Sequence, residues 1–216
     1  VANAFQEKTM RCFIGLELSA QQKLALQSWQ QKALPEIRSR QQTPSVNQQN
    51  KKRIRSAPAI PVAVPVANYH ITLAFLGAIS SKQLESLITH LDKIHAHPVT
   101  LQLTQSGYWQ KPKIVFVAPD HVPESLSSLH TQVRKGAREA GIETESRNYQ
   151  PHVTLVRKAA PSLPPPLFAP EINCQFDAFH LFESVSTPNG VSYPIRHSWK
   201  LTPNMSTRER LRKGFL

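Results

Sequence analysis

Short runs in which apolar and polar residues alternate recur along this chain, separated by stretches with a helical repeat. Arg11 to Leu18 (RCFIGLEL) predicts a first strand. Ser19 then caps a helix reaching about Ile37, with Leu24, Leu26, Trp29 and Leu34 as core contacts. Residues 39–59 are rich in Gln, Asn and Lys with almost no apolar periodicity, which predicts an inserted mobile loop. A strand from Tyr69 to Leu76 follows, closed by Gly77. Ser80 opens a second helix, with Gln83 in capping-box position and Leu84, Leu87, Ile88, Leu91 and Ile94 on one stripe.

Two strands are predicted next, Val99 to Trp109 and Lys113 to Ala118. A third helix spans about Pro123 to Ala140, with Gly141 placed for a left-handed stop. A strand from Tyr149 to Arg157 and a Pro-rich turn (Pro161 to Pro170) lead to one long strand, Ile172 to Val185. Pro188-Asn189-Gly190 then turns the chain into a last strand, Ser192 to Leu201. The order predicts an α+β fold of two pseudo-symmetric lobes. Each lobe is an antiparallel sheet with flanking helices, and a cleft runs between them. The expected division is an N-terminal extension (1–10), one bilobal domain (11–202) and a basic C-terminal tail (203–216).

Within those strands one tetrapeptide occurs twice: His70-Ile71-Thr72-Leu73 and His152-Val153-Thr154-Leu155. Strand alternation puts His70 and Thr72 on one face, and His152 and Thr154 likewise, with Ala74 and Val156 continuing those faces. Phe75 and Tyr69 fall on the opposite face, Phe75 toward the core and Tyr69 toward a rim. If the strands lie side by side, two imidazoles and two hydroxyls converge on one cleft. Such a set can handle a phosphate: one imidazole accepts a proton, the other donates one, and the hydroxyls donate to oxygens. Arg157, five residues after His152, joins the site only if the strand ends or bulges before it.

Composition narrows the chemistry. Among 216 residues, 26 basic against 14 acidic side chains give a net charge of +12, which favours anionic partners, nucleic acid ahead of lipid. No apolar run approaches the roughly 20 residues of a membrane span. Val1 to Arg11 lacks the apolar core of a secretory signal, so cytoplasmic residence is expected. Cys12 and Cys174 lie in apolar strands and are expected as buried reduced thiols. His90, His95 and His97 match no familiar zinc spacing. The seven glycines form no phosphate-cradling cluster, and there is no Gly-x-Ser-x-Gly elbow.

The segments Arg11-Cys-Phe-Ile-Gly-Leu-Glu-Leu18, Asn68-Tyr-His-Ile-Thr-Leu-Ala-Phe-Leu-Gly77 and Pro151-His-Val-Thr-Leu-Val-Arg157 resemble the 2H phosphoesterase superfamily. Within it they are most similar to the bacterial RNA 2′,3′-cyclic phosphodiesterase group, also called LigT-like 2′-5′ RNA ligases. Phe182 to Tyr193 resembles that group's C-terminal hairpin, and Gly107-Tyr-Trp109 with Ile114 to Val117 its central strand pair. The insertion at 39–59 and the tail depart from the group's pattern.

The resemblance implies a metal-independent enzyme without cofactor, a monomer that acts on RNA ends or cyclic nucleotides. It further implies His152 as proton acceptor and His70 as proton donor, with Thr72, Thr154 and Arg157 holding the phosphate. The expected reaction is hydrolysis of a 2′,3′-cyclic phosphate to a 2′-phosphate. Joining of RNA ends by a 2′-5′ bond in the same cleft, or RNA binding without catalysis, are the alternatives. Two imidazoles of ordinary pKa, about 6.5, would give a bell-shaped pH–rate profile.

Overall fold

Two four-stranded antiparallel sheets carry the alternating segments, in a computed structural model that describes residues 9–37, 61–188, 190–202 and 212. The predicted insertion at 39–59 lies outside the described residues, as does the tail apart from residue 212. The first sheet has the order β12-β9-β1-β3, from β1 (Met10–Glu17), β3 (His70–Ile79), β9 (Ala178–Glu183) and β12 (Ile195–Lys200). The second runs β2-β7-β6-β5, from β2 (Val62–Ala63), β5 (Gln105–Trp109), β6 (Ile114–Ala118) and β7 (Val153–Arg157). β4 (Val99–Leu103) pairs with β8 (Ile172–Phe176), and β10 (Val185–Thr187) with β11 (Gly190–Ser192).

The helices begin where their caps dictate. α1 (Ala20–Ala33) starts at Ser19 and α2 (Ser81–Leu91) at Ser80, each closed by a reciprocal capping box with the Gln three residues on. α1 stops short of Ile37. It buries Leu26 and Trp29, while Leu24, expected in the core, is 61% exposed. α3 (Glu124–Glu139) ends before Gly141, whose φ of +71° makes the predicted left-handed stop. Gly136 lets α3 close on α2: a Cβ there would stand 2.8 Å from Leu91 Cδ2. Cys12 and Cys174 are buried free thiols, pushed up by burial to about 11 and about 12.

Two predicted long strands are each broken. The run Val99–Trp109 divides at Thr104, so that β4 joins β8 while β5 joins the second sheet. The run Ile172–Val185 divides at Asp177, whose carbonyl accepts from Leu201 N, and again at Ser184, whose N–H donates to Arg11 O. No Gly or Pro stands at Thr104, Asp177 or Ser184, so no local breaker marks these points. The first sheet accordingly combines strands from both ends of the chain, and the lobes are not the two halves of the sequence.

The two motif strands share a further irregularity. On β3 the register passes from Gly15↔Thr72 to Ile14↔Ala74, leaving Leu73 as an extra residue; Leu76 is a second, before Gly77 with φ +70°. On β7 it passes from Phe116↔Thr154 to Val115↔Val156, leaving Leu155 extra. A bulge follows each His-x-Thr at the same motif position, and each reverses the alternation beyond it.

Candidate active site

The bulges decide which side chains meet. Ala74 and Val156, expected beside the His-Thr pairs, turn into the core, Ala74 to 6% exposure. Phe75 and Arg157, each five residues after its histidine, turn the other way and line a cleft with His70, Thr72, His152 and Thr154. Phe75, assigned to the core by simple alternation, is therefore 54% exposed. Tyr69 is buried rather than on the rim, and its hydroxyl donates to Gln30 Oε1 at 2.8 Å. The expected strand Tyr149–Arg157 pairs only from Val153, so His152 stands just ahead of the ladder, after Pro151. The cleft measures about 750 Å³, a size suited to a nucleotide-sized ligand. Glu145 is the one carboxylate among its lining side chains, against Arg11 and Arg157, which suits an anion.

Each histidine is held the same way. His70 Nδ1 lies 2.7 Å from Asn68 O, and His152 Nδ1 lies 2.8 Å from Gln150 O, in both cases the carbonyl two residues upstream. A carbonyl only accepts, so each Nδ1 carries the hydrogen. Nε2 is then free to take a proton when the ring is neutral, or to give one when it is charged. Asn68 also donates from its side-chain amide to Val191 O at 2.7 Å, which ties the β10–β11 hairpin to the segment holding His70.

Aromatic rings frame both imidazoles. Phe13 lies 4.7 Å from His70 between centroids, and Tyr193 meets it edge-on at 5.1 Å. Trp109 and Phe116 meet His152 at 4.5 and 5.7 Å, both edge-on. Phe116 can lie over β5 because residue 107 is glycine: a Cβ there would stand 2.5 Å from its ring. Gly15 plays a comparable part beside the first motif, where a Cβ would stand 2.7 Å from Ile71 O.

This setting moves both imidazoles off their ordinary acidity. Burial pushes His70 down to about 4, partly offset by its bond to Asn68, with the charges of Arg157, His152 and Lys23 lowering it further. Burial also lowers His152, opposed by Gln150 and reinforced by Arg157. The expectation of two ordinary imidazoles is thereby corrected: burial of the rings beside a guanidinium disfavours their charged form.

Thus His70, Thr72, His152, Thr154 and Arg157, the five residues singled out from sequence, share one cleft. Phe13, Phe75 and Tyr193, which also line it, were not assigned to it from sequence, nor were Trp109 and Phe116 placed against His152. Phe13 carried a usable signal, since its alternation with Arg11 would place it beside the motif once β1 was paired with β3. His90, the first of the three clustered histidines, instead lies 3.2 Å from Glu139, on α2 and α3.

Comparison with known proteins agrees with this geometry. The family model described as LigT like Phosphoesterase matches twice, over residues 37–117 and 115–193, so each match contains one motif. The RNA 2′,3′-cyclic phosphodiesterase of Escherichia coli (strain K12) is 32% identical over 142 residues, covering 64% of this chain and 80% of that one. The protein of that name from Bacillus subtilis (strain 168) is 30% identical over 125 residues, covering 54% and 68%. The crystal structure of E. coli LigT complexed with 3′-AMP superposes with a TM-score of 0.73 at 25% identity, covering 91% of this chain and all of that one (100%). A crystal structure from Thermus thermophilus, that of TT0787, shares the fold at 23% identity and a TM-score of 0.67, covering 91% of this chain and 100% of that one. With two motif strands facing one cleft and a family model matched over both, the chain belongs to the LigT-like phosphoesterase family.

Proposed function

We propose that this protein hydrolyses the 2′,3′-cyclic phosphate at RNA ends, leaving a 2′-phosphate. One observation carries the reading. Two imidazoles, each with Nδ1–H committed to a backbone carbonyl, line one cleft with two threonines and an arginine. His152 Nε2 removes a proton from water as its oxygen bonds to phosphorus. The P–O3′ bond breaks, and protonated His70 delivers its Nε2 proton to the departing 3′ oxygen. Thr72, Thr154 and Arg157 hold the non-bridging oxygens, where negative charge grows in the transition state. Phe75 offers an exposed ring on the same face for the terminal base, an interaction of about 1–3 kcal/mol where stacking occurs. The net charge of +12 favours association with an anionic RNA.

Product analysis tests the reading. Incubating a nucleoside 2′,3′-cyclic phosphate with the protein yields the 2′-phosphate. Formation of the 3′-phosphate overturns the assigned leaving oxygen, and an unchanged substrate overturns the activity.

The acidities add a second expected result. Catalysis needs one imidazole charged and one neutral, and in the free protein both give up their proton below pH 6.5. The competent form is therefore most populated on the acid side of 6.5 and drains away as pH rises, so kcat/KM falls through neutrality. The phosphate monoanion, once bound, favours the charged rings and offsets Arg157, placing the kcat optimum at higher pH than that of kcat/KM. Steady-state rates from pH 4 to 9 check both. A kcat/KM that climbs between pH 6.5 and 8 contradicts the depressed pair.

A further inference from the structure

Behind the cleft, on the free edge of β3, two rings outside the motifs grip the motif strand by its backbone. Tyr149 donates its hydroxyl to Thr72 O at 3.2 Å, and His130 Nδ1 lies 2.9 Å from Leu73 O, again necessarily as donor. The rings stack on each other with centroids 3.9 Å apart and planes 8° from parallel. They come from different parts of the chain: His130 from α3, Tyr149 from the segment leading into β7. Their two acceptors are neighbouring carbonyls at the bulge, where the strand's ordinary alternation of hydrogen-bonding edges is broken.

Each bond touches a different determinant of the site. Tyr149 immediately precedes Gln150, whose carbonyl holds His152, so its hydroxyl links the segment carrying one histidine to the strand carrying the other. His130 holds Leu73, the extra residue that turns Phe75 out of the core and into the cleft. We propose that His130 and Tyr149 form a stacked clamp of two positioning residues. Tyr149 sets the separation of the catalytic histidines across the cleft, and His130 sets the bulge that presents Phe75 to the substrate base. Neither ring lines the cleft, so neither is a catalytic residue. The inference rests on the two-histidine hydrolysis proposed above.

Two substitutions separate the roles while retaining the stack. Tyr149→Phe removes only the hydroxyl; it lowers kcat about tenfold, because a small displacement of one reacting group misaligns the pair, and leaves KM within about twofold. His130→Phe removes the donor; it raises KM for a nucleoside cyclic phosphate about fivefold through the displaced Phe75 and leaves kcat within about twofold. His130→Asn supplies a donor in the position of Nδ1 and restores KM without restoring the stack.

Steady-state kinetics of the full chain, with melting temperatures alongside, decide the matter. A divided response, kcat in one variant and KM in the other, with rescue by His130→Asn, supports the clamp. Parallel losses in both parameters that track the melting temperature indicate a merely structural role and overturn it. So do variants indistinguishable from an active wild type, which overturn the clamp while leaving the hydrolysis reading intact. A wild type with no turnover overturns the hydrolysis reading first and the clamp with it.

Discussion

His70→Ala and His152→Ala each lower hydrolysis of a 2′,3′-cyclic phosphate by about 10²- to 10⁴-fold, the span expected when a positioned acid or base is removed. Folding survives both changes. Neither imidazole belongs to the apolar core, and what His70 loses is its bond to Asn68 and contacts with Phe13 and Tyr193. Circular dichroism and melting curves verify this, while turnover within tenfold of wild type in either variant removes the histidine pair as the catalytic apparatus.

The same variants also distinguish acid from base. Burial, backbone bond and Arg157 act on the two rings in the same sense, so the geometry is nearly symmetrical. A phosphodiester with an aryl leaving group of low pKa departs without a proton. With His70 as the acid, His70→Ala loses far less on that substrate than on the cyclic phosphate. His152→Ala loses heavily on both, since water still needs its base. The opposite pattern exchanges the roles.

Arg157→Ala is expected to lower kcat by about 10²- to 10³-fold, as removal of a single donor to a developing oxyanion does elsewhere. The guanidinium faces the cleft because Leu155 is bulged; on an unbroken strand it would face away from His152. Arg157→Lys retains the charge but not the planar fork, and recovers only part of the loss. A second signature accompanies the rate. The Arg157 charge depresses both histidines, so its removal raises their pKa values toward 6.5 and moves the kcat/KM profile to higher pH. A profile that stays in place while kcat falls would show the arginine acting on substrate alone. A kcat within threefold of wild type would place it outside the phosphate site.

Much of this molecule was legible in local sequence. Ser19 with Gln22 and Ser80 with Gln83 mark helix starts, because capping is settled within a few residues. Gly141 marks a helix end through a backbone conformation that favours glycine. The repeated His-x-Thr-Leu named four residues of the cleft, because alternation along a strand fixes which neighbours share a face over two positions. Beyond that span, prediction failed at the bulges. Leu73 and Leu155 are ordinary apolar residues, and nothing local distinguishes an extra residue from a paired one. Their status is set by the partner strands β1 and β6, and it moves Ala74 and Val156 inward and Phe75 and Arg157 outward.

The strand breaks at Thr104 and Asp177 were hidden for a related reason. At each break the two sides join different sheets: β4 and β8 pair with each other, while β5 joins β6 and β9 lies between β1 and β12. Acidity is equally non-local: His70 reaches about 4 because several elements together bury it and bring Arg157 close. The sequence by itself thus determined the chemical groups, the motif strands that carry them and the helix starts, all of which depend on short-range geometry. Only the tertiary structure decided which groups face the cleft, how readily they hold a proton, and that His130 and Tyr149 grip the strand behind it. Register and burial arise from contacts between segments far apart along the chain.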